Sequence, residues 1–349
     1  MQRLGYTLHK GQRGRPLLIA GSPKYHGAPI LAGLSCLRAG ADYCYLLVRG
    51  SNAQVVASAS PNFIVSSRLD TWKDIHYTNI LIGPGLDTEE ESIALFMDVI
   101  SVKPSRLLLD ADAIRILCTL LKQQDIVTDS LLNQLSTIQS ILTPNYVEFK
   151  YLYHSVFNSY PSQYEKMIDI LGKNLTSNRL GVALGFRTLR SLVKRGKKYH
   201  NALINEPLQL SKKLGVIILV KGVVDVVVSP NPCDGARVIT ERGQPKRSAG
   251  QGDILAGILA ALLASSVDES VVSICEKAAI LTKRASRAAY KRYGVSMVAS
   301  DIISYINMGD CNTTGVLLNI FHVLGTSGIL IISLVCLFTI WLCTHVLAS

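Results

Sequence analysis

The chain has 349 residues, enough for one large domain or two small ones with a sizeable core. Its formal net charge of +11 points to an anionic ligand, a nucleic acid or a membrane surface as partner. None of the eight cysteines forms a Cys-x-x-Cys pair or has a histidine at metal spacing, so no zinc site is indicated, and we interpret the cysteines as buried thiols of a reducing compartment.

Short apolar runs alternate with helical patterns through most of the chain. The apolar runs, bounded by Gly, Pro or polar residues, predict strands at 16–20, 43–48, 63–66, 79–82, 106–109, 140–143 and 216–220, with a hairpin continuing at 223–228. The helical patterns predict helices at 27–39, 92–100 and 114–122, and four helical stretches from residue 254 to about 306.

The alternation of apolar strands and helices predicts an α/β fold whose central, mostly parallel sheet is flanked by helices on both faces. In open sheets of this kind the ligand crevice lies outside the carboxyl ends of the strands. The glycines and polar residues that should converge on this edge are Gly83, Gly85, Asp112, Asn145, Lys221 and Asp253.

One segment does not follow the alternation. No clear strand is predicted between residues 151 and 214, and residues 187–213 carry eight Lys or Arg against the single acid Glu206. We interpret 155–213 as a basic insertion with helical pieces. Its charge would suit a nucleic acid or an anionic membrane surface, but we favour a solvated surface insertion and expect no nucleic acid, because no nucleic-acid motif or interleaved aromatic residue accompanies it.

The excess of apolar residues lies at the C-terminus. No Asp, Glu, Lys or Arg occurs from Cys311 to Ser349, and residues 328–348 are 21 mostly apolar residues, about the span of a bilayer core. The alternative is a buried helix of the fold. We predict a single-pass C-terminal transmembrane helix at 328–348, joined by a linker at 311–327 to a catalytic domain at 1–310 in the cytosol, because the N-terminus has no signal peptide.

The loop at 243–252 and the helix after it form the expected reaction centre. This basic loop ends in Gly250 and Gly252, and an apolar helix begins at once. Backbone N–H groups from Ala249 to Gly252 therefore meet the positive end of a helix dipole, a site for phosphate or a developing anion. Asp253 can take a proton from a hydroxyl that attacks a phosphoryl group held there. The alternative is a glycine loop with Asp253 as a plain helix cap.

Seven short motifs occur in an order that resembles the ATP-dependent NAD(P)H-hydrate dehydratases, members of the ribokinase-like superfamily. In one-letter code they are HKGQxG from His9, GSxxYxGAP from Gly21, GPGL from Gly83, DAD from Asp110, LTPNxxEF from Leu142, KGxxD from Lys221 and GQGD from Gly250. The opening at His9 is similar to the eukaryotic branch, and the resemblance covers residues 5–305.

The resemblance implies a repair reaction. NADH or NADPH hydrated at C6 of the nicotinamide ring, as the S epimer, would be returned to the intact cofactor while ATP gives ADP and phosphate. Phosphorylation would make the ring hydroxyl a leaving group, with Asp253 as the base and the loop of Gly250 and Gly252 holding the negative charge. The expected cofactors are ATP and Mg²⁺, the latter bridging the nucleotide phosphates.

The resemblance also implies binding residues by position. The hydrated dinucleotide would contact Gly85, Asn145, Tyr146, Val147, Glu148, Phe149, Lys150, Tyr151 and Asp253. ATP would contact Lys221, Gly222, Val223, Val224, Asp225, Gln244, Pro245, Lys246, Arg247, Ser248, Ala249, Gly250, Gln251 and Gly252. No metal ligand is assigned, although Glu148 can help to hold a metal or a water. Taken alone, Lys221 could equally be a strand-end lysine in solvent, and Glu148 a first-turn helix residue.

Two residues depart from the family pattern. Ala249 stands where Cys or Gly is usual, and an alanine forced to positive φ would weaken phosphate binding. Asp87 stands where Gly is usual, and its charge would lie near a phosphate-rich substrate.

Two other functions stay open: a small-molecule kinase of the same superfamily acting on a vitamin precursor, and a catalytically weakened, membrane-tethered nucleotide-binding protein. Further expected partners are a separate NAD(P)H-hydrate epimerase, the membrane, and a second copy of the chain in a homo-oligomer.

Overall fold

A nine-stranded sheet forms the centre of the computed structural model, which describes residues 9–70, 72–123, 126–175, 197–266 and 268–307. The strands are β1 (Pro16–Ile19), β2 (Tyr45–Leu47), β3 (Ile64–Ser66), β4 (Asn79–Ile82), β5 (Arg106–Leu109), β6 (Gln139–Leu142), β7 (Ile217–Val220), β8 (Asp225–Val228) and β9 (Ala236–Ile239). Their order across the sheet is β3-β2-β1-β4-β5-β6-β7-β8-β9.

Helices connect most of the strands. They are α1 (Gly27–Arg38), α2 (Ala53–Ser58), α3 (Glu90–Ser101), α4 (Asp112–Leu121), α5 (Ile126–Thr137), α6 (Tyr146–Phe157), α7 (Ser162–Leu175), α8 (Lys197–Leu214), α9 (Gln251–Ser265), α10 (Val271–Tyr293) and α11 (Ala299–Ile303). Single 3₁₀ turns lie at Gly50–Asn52, Trp72–Asp74, Pro232–Asp234 and Gly294–Ser296.

The sheet is mixed. The first seven strands across the sheet, β1 to β7, are parallel to one another. Strand β8 pairs antiparallel with β7, and β9 pairs antiparallel with β8. Every residue of β1, β4, β7 and β8 is buried, as expected of strands that are covered on both faces. The sequence analysis missed β9, α2 and α5. Strand β9 lies at the edge of the sheet, where only its last residue, Ile239, is buried.

Alternate residues of each strand point to opposite faces of the sheet. On one face, Leu17 of β1 and Ile80 of β4 belong to a core that also contains Phe96 of α3, Tyr164 of α7 and Leu203 of α8. On the other face, α1, α10 and α11 all contact α9, which lies across β1, β4 and β5. Both faces of the sheet are therefore covered by helices.

Helices α1 and α9 approach each other closely. A Cβ at Gly257 would lie 2.1 Å from the carbonyl oxygen of Ala32, so only glycine fits there. All residues of α9 from Ile254 to Ala264 are buried, which explains why this helix is apolar all round. The packing fixes the N-terminus of α9, where Asp253 lies.

The predicted basic insertion at 155–213 is helical where it is described, and it is built into the fold. Helices α7 and α8 pack together, and α8 contacts β7, β8 and β9. Glu206 is buried and accepts hydrogen bonds from the backbone N–H groups of Gln163 and Tyr164 at 3.2 and 2.8 Å, where α7 begins. Residues 176–196, which hold half of the basic stretch, lie outside the described residues.

The predicted C-terminal transmembrane helix requires a correction. Within the described ranges, which end at residue 307, no helix has both the length and the apolar composition needed to cross a bilayer. The predicted span at 328–348 and the linker at 311–327 lie outside those ranges. The fold of the described residues is an α/β fold with a mixed sheet, and the predicted membrane helix and membrane location are not carried further.

Contacts between residues divide the chain into one unit, Met1–Ile306, and a second, Asn307–Ser349. The predicted domain boundary at residue 310 stays a prediction.

Candidate functional site

A cavity of about 550 Å³ lies beyond the carboxyl ends of β6 and β7, beside the start of α9. Its lining combines residues that were predicted to bind the substrate with residues that were predicted to bind ATP. Those residues are Asn145, Tyr146, Val147, Lys221, Gly222, Val223, Asp225, Arg247, Ser248, Gln251 and Gly252.

The loop before α9 owes its shape to one glycine. Gly250 is the N-cap residue of α9 and has a φ of +91°, in the left-handed region that favours glycine. A Cβ on Gly250 would also lie 2.4 Å from Cδ1 of Leu31 in α1. Ala249 is not among the described non-glycine residues with positive φ. The strain expected at Ala249 is therefore absent, because the turn occurs one residue later.

A buried ion pair joins the ends of β5 and β7. Lys221 Nζ donates to Asp110 Oδ1 at 2.6 Å, and Thr143 Oγ1 donates to the same oxygen at 2.7 Å. Asp110 is fully buried, and its Oδ2 has no hydrogen-bond partner among the residues that the structure describes. A Cβ on Gly252 would lie 3.3 Å from Lys221 Nζ, so the ammonium group lies directly against the loop before Asp253.

Asp253 is half-buried in the first turn of α9 and has an unusual acidity. Burial, followed by the negative charge of Asp110, raises the pKa of Asp253 to about 7, although the positive charge of Lys221 opposes this rise. The charges of Asp112 and Glu148 also raise this pKa. A carboxyl group with such a pKa exchanges protons near neutral pH, which a general base requires.

Asn145 and Glu148 form a capping box at the start of α6. The Asn145 side chain accepts from the N–H groups of Val147 and Glu148 at 2.9 and 3.0 Å, while Glu148 Oε2 accepts from the N–H of Asn145 at 2.8 Å. Burial raises the pKa of Glu148. Asn145, just after β6, also forms an isolated parallel β-bridge with Lys221, just after β7. The capped turn therefore lies beside the ion pair.

Sequence reasoning missed Lys283, which holds the turn between β7 and β8. Its Nζ lies 3.0 Å from Asp225 Oδ2 and donates to the carbonyl oxygens of Gly222 and Val223 at 3.2 and 3.0 Å. Asp225 Oδ1 accepts from the N–H of Gly222 at 2.8 Å. The sequence signal for Lys283 was its spacing of four residues from Ala279, which places both residues on the same, buried face of α10.

Several predicted binding residues do not line the cavity. On α6, Phe149 is fully buried, Lys150 pairs with Glu165 at 2.5 Å, and Tyr151 is 56% exposed. Val224 is also fully buried.

In the loop before α9, the predicted residues that stay out of the cavity lining are Gln244, Pro245, Lys246, Ala249 and Gly250. Lys246 is tied to the backbone elsewhere, because it donates to the carbonyl oxygens of Val295 and Met297 at 2.6 and 2.7 Å. Gln244 donates to the side chain of Gln251 at 2.5 Å. Lys246 and Gln244 thus contribute to the site by holding the loop in place.

Gly85 and Asp87 lie after β4, at the opposite side of the same edge. Gly85 has a φ of +63°, and a Cβ there would lie 2.8 Å from the Cβ of Tyr25. Asp87 also has a positive φ, +59°, which explains why glycine would suit this position. Its carboxylate pairs with Arg49 at 2.9 Å, and Arg49 is only 3% exposed. The charge of Asp87 is therefore neutralised.

Carboxylates are plentiful at this edge, but they do not form a closed metal site. Among the described residues, no three His, Cys, Asp or Glu side chains converge closely enough to hold a metal ion. The unpartnered Oδ2 of Asp110 and the partly buried Glu148 supply oxygen donors of the kind that Mg²⁺ prefers. Such donors fit an ion that takes its remaining ligands from water and nucleotide phosphates.

Comparison with solved structures identifies the fold. The structure superimposes on a ribokinase-like superfamily protein from Enterococcus faecalis with a TM-score of 0.61 at 17% identity, over 87% of this chain and 89% of the other. An ADP/ATP-dependent NAD(P)H-hydrate dehydratase from Bacillus subtilis, co-crystallised with ATP and Mg²⁺, gives a TM-score of 0.59 at 20% identity, over 88% and 93% of the two chains. The chain thus has the ribokinase-like fold.

Sequence comparisons carry the assignment further. Relatives named ATP-dependent (S)-NAD(P)H-hydrate dehydratase include one from Dictyostelium discoideum, 30% identical over 87% of this chain and 91% of its own length. Another, from Ciona intestinalis, is 29% identical over 87% and 76% of the two chains. The family model described as NAD(P)H-hydrate dehydratase matches residues 16–178 and 186–308. The resemblance seen in the sequence motifs is confirmed: the chain belongs to the NAD(P)H-hydrate dehydratase family.

Proposed function

We propose that this chain dehydrates the S epimer of hydrated NADH or NADPH at the expense of ATP, releasing ADP and phosphate. Family membership supports the reaction class, and the relatives carry the name of this activity. One observation supports the mechanism: Asp253, with a pKa of about 7, lies where the glycine loop at 243–250 meets the start of α9.

Asp253 acts as the general base in the first step. Its carboxylate removes the proton of the C6 hydroxyl of the hydrated ring as the hydroxyl oxygen attacks the γ-phosphorus of ATP, and ADP leaves. The N–H groups of Gly252 and Asp253 have no acceptor within the helix, so they are available to the transferred phosphoryl group. The ring nitrogen lone pair then expels phosphate from C6, and loss of a proton from C5 restores the double bond.

The 550 Å³ cavity takes the nucleotide. Lys221, close against Gly252, supplies a positive charge to the phosphates. The turn of Gly222 and Val223 and the loop residues Arg247 and Ser248 line the remaining space. Asn145 and Tyr146, which line the same cavity beside Lys221, would meet the hydrated dinucleotide.

Mg²⁺ is a proposed cofactor that would enter with ATP. The edge carries the carboxyl groups of Asp110, Asp112, Glu148 and Asp253 around the ammonium group of Lys221. A triphosphate brought among these groups would be repelled unless cations came with it. Asp110 and Glu148 would hold the ion, which supplies neutralisation of phosphate charge when bound.

The full chain, incubated with hydrated NADH, ATP and Mg²⁺, should restore the near-ultraviolet absorbance of the reduced nicotinamide. Asp253→Asn should abolish this recovery, while Asp74→Asn, which changes an exposed acid far from the cavity, should not. A stable phosphorylated product without recovered absorbance would indicate the kinase alternative. Nucleotide binding without turnover would indicate the catalytically weakened alternative.

Other parts of the proposal rest on the family resemblance. A separate epimerase chain would supply the S epimer from the R epimer. The homo-oligomer and the domain limits of 1–310 stay predictions, which sedimentation and limited proteolysis can test.

A further inference from the structure

We propose that a second cavity, at the ends of β1 and β4, binds the adenosine half of the hydrated dinucleotide. This inference rests on the proposed function, and it assigns the part of the substrate that the reaction centre does not hold. The cavity has a volume of about 340 Å³ and is lined by Lys24, Tyr25, Asp87, Glu89 and Arg115, with Pro23 and Thr88 between them.

The cavity lies along the same edge of the sheet as the predicted reaction centre. Asp112 connects the two, because its Oδ2 accepts from the N–H of Asp87 at 2.8 Å and its Oδ1 pairs with Arg115 at 3.2 Å, while its charge acts on Asp253. Tyr25 lies directly against Gly85, the predicted substrate contact.

The distance along the edge suits a dinucleotide. Asp110 follows β5 and the turn of Tyr25 follows β1, and only β4 lies between these strands. Neighbouring strands are about 4.8 Å apart, so the two ends are separated by about 10 Å. A substrate whose nicotinamide ring lies at Asp253 can therefore extend its second nucleoside over Gly85 to Tyr25.

The lining has the chemistry of a nucleotide subsite. The Tyr25 side chain is 42% exposed, and its ring offers a face on which a purine base can stack. Lys24 Nζ lies 5.1 Å from the centre of that ring. Arg115 is 65% exposed and, among the described residues, pairs only with Asp112, which leaves guanidinium donors for a phosphate oxygen.

The acidic wall of the cavity is held in place from behind by Arg49, which also pairs with Glu91 at 2.8 Å. Arg49 is almost fully buried and pairs with Asp87 and Glu89 at 2.9 and 3.0 Å. Burial alone would raise the pKa of Asp87, but the hydrogen bonds from Glu89 and Ser92 and the charge of Arg49 lower it below its ordinary value. Asp87 is therefore a fixed, paired carboxylate, while Lys24 and the exposed part of the Arg115 guanidinium supply the positive charge of the cavity lining.

The test compares the hydrate of NADH with the hydrate of reduced nicotinamide mononucleotide, which lacks the adenosine half. In the full chain, Tyr25→Ala and Arg115→Gln should each raise KM for hydrated NADH roughly ten-fold and leave kcat unchanged. Neither variant should change KM for the mononucleotide hydrate or for ATP. Tyr25→Phe, which keeps the stacking face, should behave as the parent.

Matched controls separate the subsite from general effects. Lys122→Gln changes an exposed cation at the other end of the helix that carries Arg115, and Tyr293→Ala removes a tyrosine that is 46% exposed on α10. Both should leave all constants unchanged. Equal losses on both hydrates, or no loss on either, would overturn the subsite. Failure of the unsubstituted chain to restore either hydrate would instead overturn the proposed function, and the subsite with it.

Discussion

The acidity of Asp253 makes a prediction that links activity to stability. Burial, the charge of Asp110 and the smaller opposing effect of Lys221 give this carboxyl a pKa of about 7, against an ordinary value of 3.8. If Asp253 is the base, kcat/KM should rise with pH about ten-fold between pH 6 and pH 8 and then level, because only the carboxylate form accepts a proton. The slope should disappear in Asp253→Asn together with the activity.

The same pKa determines the pH dependence of folding. The unfolded chain releases the Asp253 proton near pH 3.8, whereas the folded chain keeps it to about pH 7. Between these values the folded state binds more protons, so this group's contribution to stability falls as the pH rises and is constant above pH 7. The difference of 3.2 pH units, 7 minus 3.8, corresponds to about 4 kcal/mol.

Asp253→Asn removes the cost of burying that charge. The described residues give the Asp253 carboxylate no side-chain hydrogen bond that asparagine would break. At pH 8 the variant should therefore be more stable than the parent by about 2–4 kcal/mol, a rise of several degrees in Tm, and at pH 4 the two should be equal. An inactive variant that is more stable is the expected signature of a strained catalytic group.

Thermal unfolding at pH 4 and pH 8, together with the pH profile of kcat/KM, measures both effects. Asp74→Asn, which removes an exposed carboxyl group, is the matched control and should change neither. A flat pH profile in the parent would refute Asp253 as the base. A variant that is less stable than the parent at pH 8 would refute the argument from burial, whatever its activity.

Three further predictions concern the residues around Asp253. Lys283→Met should raise KM for ATP and lower the free energy of unfolding by about 3–5 kcal/mol, because a buried ion pair loses one partner; Lys283→Arg should recover part of both in kinetic and urea-unfolding measurements. Gly250→Ala should lower stability by at least 1–3 kcal/mol in the same unfolding assay, since positive φ and contact with Leu31 both oppose a Cβ. Lys221→Met should abolish activity and destabilise the fold, because Asp110 would be left buried and unpaired.

The ends of the strands could be predicted because short-range signals define them. Gly83, Asp110 and Lys221 each follow a fully or largely apolar run, and parallel strands bring such ends to one edge of the sheet. Asp253 could be selected because Gly-Gln-Gly before an apolar helix is a local pattern.

The pairing of charges could not be predicted in the same way. Nothing near Lys221 in the sequence indicates that Asp110 is its partner, since the two are 111 residues apart. Lys283 acts on a turn 60 residues before it, across two strands, a loop and helix α9. Such pairs depend on the register of the sheet and on which face of a helix is buried, and a single sequence constrains both only loosely.

The two departures from the family pattern illustrate how the fold absorbs a substitution. At residue 249 the alanine costs nothing, because the positive φ belongs to Gly250. At residue 87 the strain is real, because an aspartate adopts a φ of +59°. Asp87 nevertheless gains a buried arginine as partner, and a charged hydrogen bond contributes about as much as the strained backbone costs. Arg49 therefore holds the loop that carries Gly85 through its ion pair with the Asp87 side chain. A glycine at residue 87 could not make this contact.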